Sequence, residues 1–367
     1  MKNPAIMLLI SALLSLTLLS QAAAATLEER LADLERRQSE LYHTLAEKKA
    51  AGLATPLGER LTFSGLLEVE ATAASRRQDD GRTQSSSDLV LATTQLGLGM
   101  TFTDRVRGSI NFLYEEDTTD LEVDEASVDL NLDPFFARIG RIYLPFGVYH
   151  SHFISDPLTL ELGETRETAA LLGYGQELLS LSLFAFNGDS ERLEEEDHIR
   201  DWGASLVFTP VDGLEFGGSY LSDLADSDAA IVTAYERRVP GWSAFVLAAG
   251  SKGGISAEIL GATRAFAAAD LDGDENGMGD RPRAWNVEAF WTMRDDLQLA
   301  LRWEGSDEFL GQPRRQYGLD LSWSPWPYAT LSLEYLRGEF SRGFGLNEDG
   351  SGLYRRDQVT AQLALAF

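Results

Sequence analysis

Beyond residue 60 the chain alternates apolar and polar positions, the period of a β-strand with one greasy and one wet face. The last stretch shows it most plainly. Val359, Ala361, Leu363, Leu365 and Phe367 point one way, and Gln358, Thr360 and Gln362 the other. Tyr317, Leu319, Leu321 and Trp323 alternate with Gln316, Gly318, Asp320 and Ser322. Leu297, Leu299, Leu301 and Trp303 do so with Gln298, Arg302 and Glu304. Ala126–Leu132 and Trp285–Met293 repeat the pattern. These strands run about 10 residues, long for a soluble sheet and right for a tilted bilayer crossing.

The connections alternate between short and long. Short turns fall at Thr103–Arg105, Asp133–Pro134, Pro210–Gly213, Lys252–Gly254, Arg294–Asp296 and Pro325–Pro327. Longer polar loops fall near 72–87, 145–165, 188–199, 223–241, 267–283, 306–314 and 340–355. Phe63, Phe102, Phe135, Phe208, Trp323, Trp326, Tyr328 and Phe367 gather at strand ends beside the short turns. Short turns, long loops and an aromatic girdle are the marks of an outer-membrane barrel. The predicted fold is therefore all-β: a transmembrane antiparallel β-barrel over 61–367. Strand starts near 61, 88, 105, 121, 135, 166, 177, 200, 213, 243, 255, 284, 296, 315, 328 and 356 give about 16 strands, an even number. The apolar stretch Ala229–Tyr235 would supply a further pair and make 18. A barrel of this size leaves a water-filled channel unless something plugs it.

Before residue 60 the period changes. Leu27, Leu31, Leu34, Gln38, Leu41 and Leu45 are spaced alternately by four and three, a heptad seam over 26–49. A helix this short is marginal alone in water. Self-association, as a trimer, would bury the seam, with Gln38 fixing register; a single amphipathic helix packed under the barrel is the alternative. It is too short and polar to be a plug domain. Residues 50–60 read as a linker, with Gly52, Pro56 and Gly58. Residues 1–25 read as a secretory signal: Lys2, an apolar run from Ala5 to Leu19, and Ala22–Ala25 before the cut. The run is shorter than a spanning helix needs. The expected location is the bacterial outer membrane, with lipid and lipopolysaccharide around the wall and the N-terminal helix in the periplasm.

Composition removes several function classes. The chain has no cysteine, which excludes disulfides, thiol nucleophiles and a lipid-modified cysteine. Its formal net charge of −27 argues against nucleic acid. A mean hydropathy of −0.16 resembles a soluble protein, but a barrel looks the same because half of each strand faces water. No nucleophile elbow, phosphate loop or His-Glu-x-x-His occurs, so no enzyme and no cofactor is expected. By alternation the lumen should be lined by Arg107, Arg138 and Arg302, and by Asp129, Glu288, Glu304, Asp320 and Glu334, giving a mixed-sign pore. The loop from Pro145 to Glu167 is the candidate constriction. It mixes Pro145, Phe146 and Gly147 with Glu161, Glu164, Arg166 and Glu167, after a strand ending in Tyr143. Folded into the lumen, such a loop would narrow it and set a selective field; an ordinary outside loop against a neighbouring subunit is the alternative.

Three weaker signals concern metals. His150 and His152 share a face on an extended segment, without a third ligand. Asp270, Asp272 and Asp274 resemble the start of a calcium loop but lack its later Gly and Glu. Glu194–Asp197 reads as a solvated outer loop, with calcium bridging to lipopolysaccharide as the other reading.

The order of signal, heptad helix, linker, barrel and terminal Phe resembles the porin superfamily. Within it, Arg138-Ile-Gly-Arg-Ile-Tyr-Leu-Pro-Phe-Gly147, followed by Ser155-Asp-Pro-Leu-Thr-Leu-Glu-Leu-Gly-Glu-Thr-Arg-Glu-Thr168, resembles the LbtU-type siderophore porins. Phosphate- and pyrophosphate-type porins carry something similar to the Gly-Arg-x-x-x-Pro-Phe-Gly part alone. The resemblance implies uptake of a ferric siderophore without a plug domain. It also implies that Phe367 is an insertion signal read by the barrel-assembly machinery. A general, anion- or sugar-selective porin and a structural outer-membrane tether are the other functions this sequence admits.

Overall fold

The computed structural model describes residues 60–193, 198–347 and 350–367. The expected signal and coiled coil, with Leu27, Leu31, Leu34, Gln38, Leu41 and Leu45, lie outside the described residues, as do the linker before Arg60 and the run Glu194–Asp197.

Sixteen strands close into one antiparallel barrel. In chain order they are β1 (Leu61–Gln78), β2 (Thr83–Thr103), β3 (Val106–Glu115), β4 (Thr119–Leu132), β5 (Phe135–Tyr143), β6 (Arg166–Gln176), β7 (Leu179–Phe186), β8 (Asp201–Val211), β9 (Leu214–Leu221), β10 (Gly241–Gly250), β11 (Gly253–Ala262), β12 (Arg283–Arg294), β13 (Leu297–Asp307), β14 (Arg315–Trp326), β15 (Ala329–Glu339) and β16 (Leu353–Ala366). Each strand pairs with its chain neighbours, and β1 pairs with β16 from Leu66↔Ala366 to Gln78↔Leu353. The backbone of Gly65 and Phe367 exchanges two hydrogen bonds of 3.0 Å at that seam. A Cβ on Gly65 would lie 2.3 Å from the Phe367 ring, so glycine there lets the terminal aromatic lie across the closing strand.

The alternation survives in space. Leu67, Ile259, Leu319, Leu333 and Val359 stand exposed on the outside, whereas Glu258, Asn286, Glu288, Arg302, Glu304, Asp320 and Glu334 are buried on the inside. The girdle aromatics Phe63, Phe102, Phe135, Trp323, Trp326, Tyr328 and Phe367 are exposed beside the short turns, where a bilayer has its interface.

Two expectations are corrected. Ala229–Tyr235 adds no strand pair to the wall. Only Ala234–Tyr235 is extended, and it pairs in parallel with Glu191–Arg192 in a separate two-stranded sheet, so the count is 16 and not 18. The supposed loop at 72–87 is mostly strand. β1 and β2 stay paired up to Arg77↔Thr83. The segment is rich in Ser, Arg and Gln, so both faces are wet and no alternation marks the ladder.

At the end opposite Phe367 the other loops cover the mouth. Ile142, Leu144, Phe146, Phe184, Phe186, Leu221, Leu224, Tyr235, Val239 and Phe266 form a buried apolar cluster there. The long connection between β5 and β6 enters this cluster at Leu144 and Phe146, runs inward, and forms a short helix α1 (Leu158–Gly163). Leu158 and Leu162 of α1 pack on Leu260, Ala284 and Phe309.

The outward set makes a direct prediction. Leu333→Arg places a charge on the lipid face of β15 and should lower refolding stability in bilayers by about 2–4 kcal/mol. Denaturant titration in vesicles checks it; an unchanged stability would remove lipid from that face.

Candidate constriction site

The loop between β5 and β6 lies inside the barrel, held by carboxylates projecting from the far wall. Glu258 of β11 accepts the backbone N–H of Val148 at 2.8 Å and of Tyr149 at 3.0 Å, and the Thr159 hydroxyl at 3.1 Å. Glu288 of β12 accepts the N–H of His152 at 2.5 Å. Glu304 of β13 accepts the N–H of Leu158 at 2.8 Å and the Gln316 amide at 2.7 Å. Glu334 of β15 accepts the N–H of Ser155 at 2.9 Å and its hydroxyl at 2.5 Å. On the β9 side, Gly147 donates its N–H to the Ser219 hydroxyl at 3.0 Å. A loop inside a barrel has no ladder for its N–H groups, and an unpaired buried one is costly. The wall supplies charged acceptors, the stronger kind.

Arg302 of β13 completes the clamp. Its side chain is fully buried, 3.1 Å from Glu288 and 3.6 Å from Glu304. It donates to the carbonyls of Ser155 at 2.9 Å and Asp156 at 3.2 Å, and to the Ser151 hydroxyl. Its guanidinium lies 4.2 Å from the centre of the Phe153 ring. One planar cation thus joins two wall carboxylates to four loop residues, a geometry a lysine lacks.

The ends of the loop are pinned where β5 and β6 separate. Tyr143 and Arg166 are directly opposed, and both donate to Asp124, at 2.8 and 2.6 Å. Arg166 also lies 2.7 Å from Glu122. Gly147 has φ +86°, a left-handed turn that glycine adopts without strain. Phe146 is fully buried in the mouth cluster. Burial, then the charges of Asp228, Asp156 and Asp124, raise the Glu164 carboxyl to about 7, against the pull of Arg166.

The lining residues read from alternation therefore fall into two groups. Glu288, Arg302, Glu304 and Glu334 face inward as read, but the loop covers them, so they hold chain instead of lining open water. Asp320 is also buried, accepting from Ser322 at 2.7 Å. Arg107, Asp129 and Arg138 remain accessible near the end with the short turns, around a recess that also includes Asp104 and Arg105. Arg107 is paired in register with Asp129, which pairs with Arg138 and forms an ion pair with it. Within the loop, Pro145 is half-buried, Glu161 is exposed, and Glu167 is buried at the start of β6.

Several inward residues were not singled out from the sequence. Glu258 sits between Ala257 and Ile259, and its alternation could have marked it. Opposite the loop, Glu68 and Glu70 of β1 sit between Leu67, Val69 and Ala71, and Glu70 accepts from Gln362 of β16 at 2.9 Å. Arg76 and Arg356 are paired in register across the closing seam. Glu161 feels Arg356: confinement by the surrounding protein raises its carboxyl, Asp156 raises it further, and Arg356 lowers it.

The metal signals rearrange. His152 Nδ1 lies 3.0 Å from Gln298, with its ring 4.0 Å from that of Phe290, so it faces the wall. Asp270 turns away and accepts from the Glu236 N–H at 3.0 Å. The trio that converges is Asp272, Asp274 and Asp280, because Asp280 returns to accept the Gly273 N–H at 2.6 Å.

No family model matches the chain. A UPF0422 protein of Coxiella burnetii is 26% identical over 321 residues, covering 80% of this chain and 68% of that protein. The UPF0422 protein lpg2959 of Legionella pneumophila is 22% identical over 389 residues, covering 92% of this chain and 71% of that one. Among solved structures, the outer membrane channel DcaP of Acinetobacter baumannii superposes with a TM-score of 0.60 at 16% identity, over 84% of this chain and 97% of that one. The anion-selective porin from Comamonas acidovorans gives 0.61 at 11% identity, over 84% and 99%. The barrel is thus the fold of outer-membrane porins and channels.

Removing the clamp should widen the pore. Glu304→Ala together with Glu334→Ala strips Leu158 and Ser155 of their charged acceptors, each worth roughly 1.5–3 kcal/mol. Single-channel recording should show a larger conductance with noisier open states; an unaltered conductance would mean these contacts do not hold the loop in the current path.

Proposed function

We propose that this chain is a passive outer-membrane channel for hydrophilic solutes, narrowed from within by the loop at 144–165. The observation that carries this is the inward loop itself, bound through its backbone to Glu258, Glu288, Glu304 and Glu334. A loop so fixed lets solute size and charge be sorted without an energy-driven gate. At the level of the loop, away from Arg107, Asp129 and Arg138, Glu68, Glu70 and Glu161 outnumber Arg76 and Arg356 on the unclamped side, which favours cations and neutral solutes over anions. The cargo that best fits the sequence is a ferric siderophore, on the resemblance of residues 138–168. A cation-leaning general porin is the second reading, supported by the same acidic lumen. The heptad helix would lie in the periplasm and hold a trimer, and Phe367 would be the residue read by the assembly machinery.

Planar-bilayer recording tests the channel. We expect stepwise conductance with cation preference, reduced in Glu68→Gln/Glu70→Gln; a closed barrel that never conducts would leave a structural tether as the better account. Uptake of labelled ferric siderophore by a strain lacking the protein tests the cargo. Uptake should fall and return on complementation; unchanged uptake with intact conductance removes the siderophore and keeps the pore. Leu34→Asp with Leu41→Asp should dissociate the trimer on native gels, and an unchanged oligomer would place its contacts on the barrel wall.

A further inference from the structure

At the outer rim, three aspartates meet in a place that the channel does not use. Asp201 begins β8, and Asp223 and Asp226 lie in the loop after β9. Asp201 is 5%, Asp223 0% and Asp226 4% exposed. Each offers a carboxylate oxygen, all within 4.8 Å of one another. Two oxygens bound to one calcium ion at about 2.4 Å can be at most about 4.8 Å apart, so the trio satisfies that bound.

The local groups leave this cluster short of positive charge. Arg238 lies 3.1 Å from Asp201 and 3.5 Å from Asp223. Ser222 donates to Asp201 at 3.0 Å, the Ala225 N–H to Asp223 at 3.1 Å, and the Ser190 N–H to Asp226 at 3.1 Å. Tyr235 also bonds Asp223. The second carboxylate oxygen of Asp226 is buried without a hydrogen-bond partner, while that of Asp223 faces Arg238. Glu167, itself buried, adds its charge to the field at Asp226. Among the described residues one guanidinium faces these three buried carboxylates, and a buried unpaired charge is expensive. The backbone is shaped around this arrangement: a Cβ on Gly188 would sit 2.1 Å from Asp226 Oδ1.

We propose that Asp201, Asp223 and Asp226 form a divalent-cation site of the calcium class, tying the segment at 187–190 and the loop at 222–240 to the rim of the barrel. All the donors are hard oxygens, as calcium prefers, and Asp226 Oδ2 supplies the open valence. The site lies on the outer side, where calcium sites work at roughly 10⁻⁴ to 10⁻³ M. It rests on the apolar cluster that also buries Phe146, so the ion would stiffen the cover under which the constriction loop enters. It is independent of the solute that passes.

Hydrogen–deuterium exchange on the full chain in detergent tests it. The probe is calcium chloride against sodium chloride at matched ionic strength. Calcium at about ten times its dissociation constant should slow exchange about ten-fold at Ser190 and at 222–228, with β12–β15 unmoved. Asp226→Asn should abolish the response, whereas Asp274→Asn, in the other acidic trio, should keep it. If Asp226→Asn fails to fold, the wild-type exchange map decides alone. No calcium effect at these residues, or an effect undiminished in folded Asp226→Asn, overturns the site.

Discussion

A backbone polar group in hydrocarbon has no water to bond, and this constraint organises the molecule. The wall can only be a ladder without a free edge. β1 meets β16 over their whole shared length, and the last two hydrogen bonds join Gly65 to Phe367. With the ring closed, the side chains have only two destinations. Apolar ones stand toward lipid, and polar ones stand toward the lumen.

The same constraint shapes the interior. A chain of some twenty residues entering the lumen brings N–H groups that the wall ladder cannot serve. Glu258, Glu288, Glu304 and Glu334 serve them, and Arg302 neutralises part of the acid so gathered. The clamp works from both directions: the carboxylates need donors as much as the loop needs acceptors. The loop is therefore a fixed part of the bore. The opposite wall, with Glu68, Glu70, Arg76 and Arg356, is left uncovered by it.

Alternation made the wall legible. The even strand count, the turn and loop sides and the girdle follow from a period of two and the positions of Pro, Gly and Asp. It failed where both faces of a strand are wet, as at 72–87, and where an apolar run belongs to a loop that packs Val232 and Tyr235 into the mouth cluster, as at Ala229–Tyr235. For the site it placed Glu288, Arg302, Glu304 and Glu334 on the inner face, yet could not tell water from chain as their neighbour. That distinction depends on a loop distant in sequence, so no local pattern carries it. Glu258 belongs to the same clamp, and its place between Ala257 and Ile259 puts it on the inner face by the same alternation. Asp280 joined Asp272 and Asp274 for a related reason: the loop doubles back, which spacing alone does not show.

The central claim is that the loop lies against the β11–β15 wall inside the barrel. The chain has no cysteine, so Ser155→Cys with Glu334→Cys introduces a single thiol pair. In intact outer membranes a short bifunctional thiol reagent should link that pair in high yield and leave the channel conducting. Absence of the link, with both thiols reactive to a small monofunctional reagent, would place the loop outside the lumen and contradict the account.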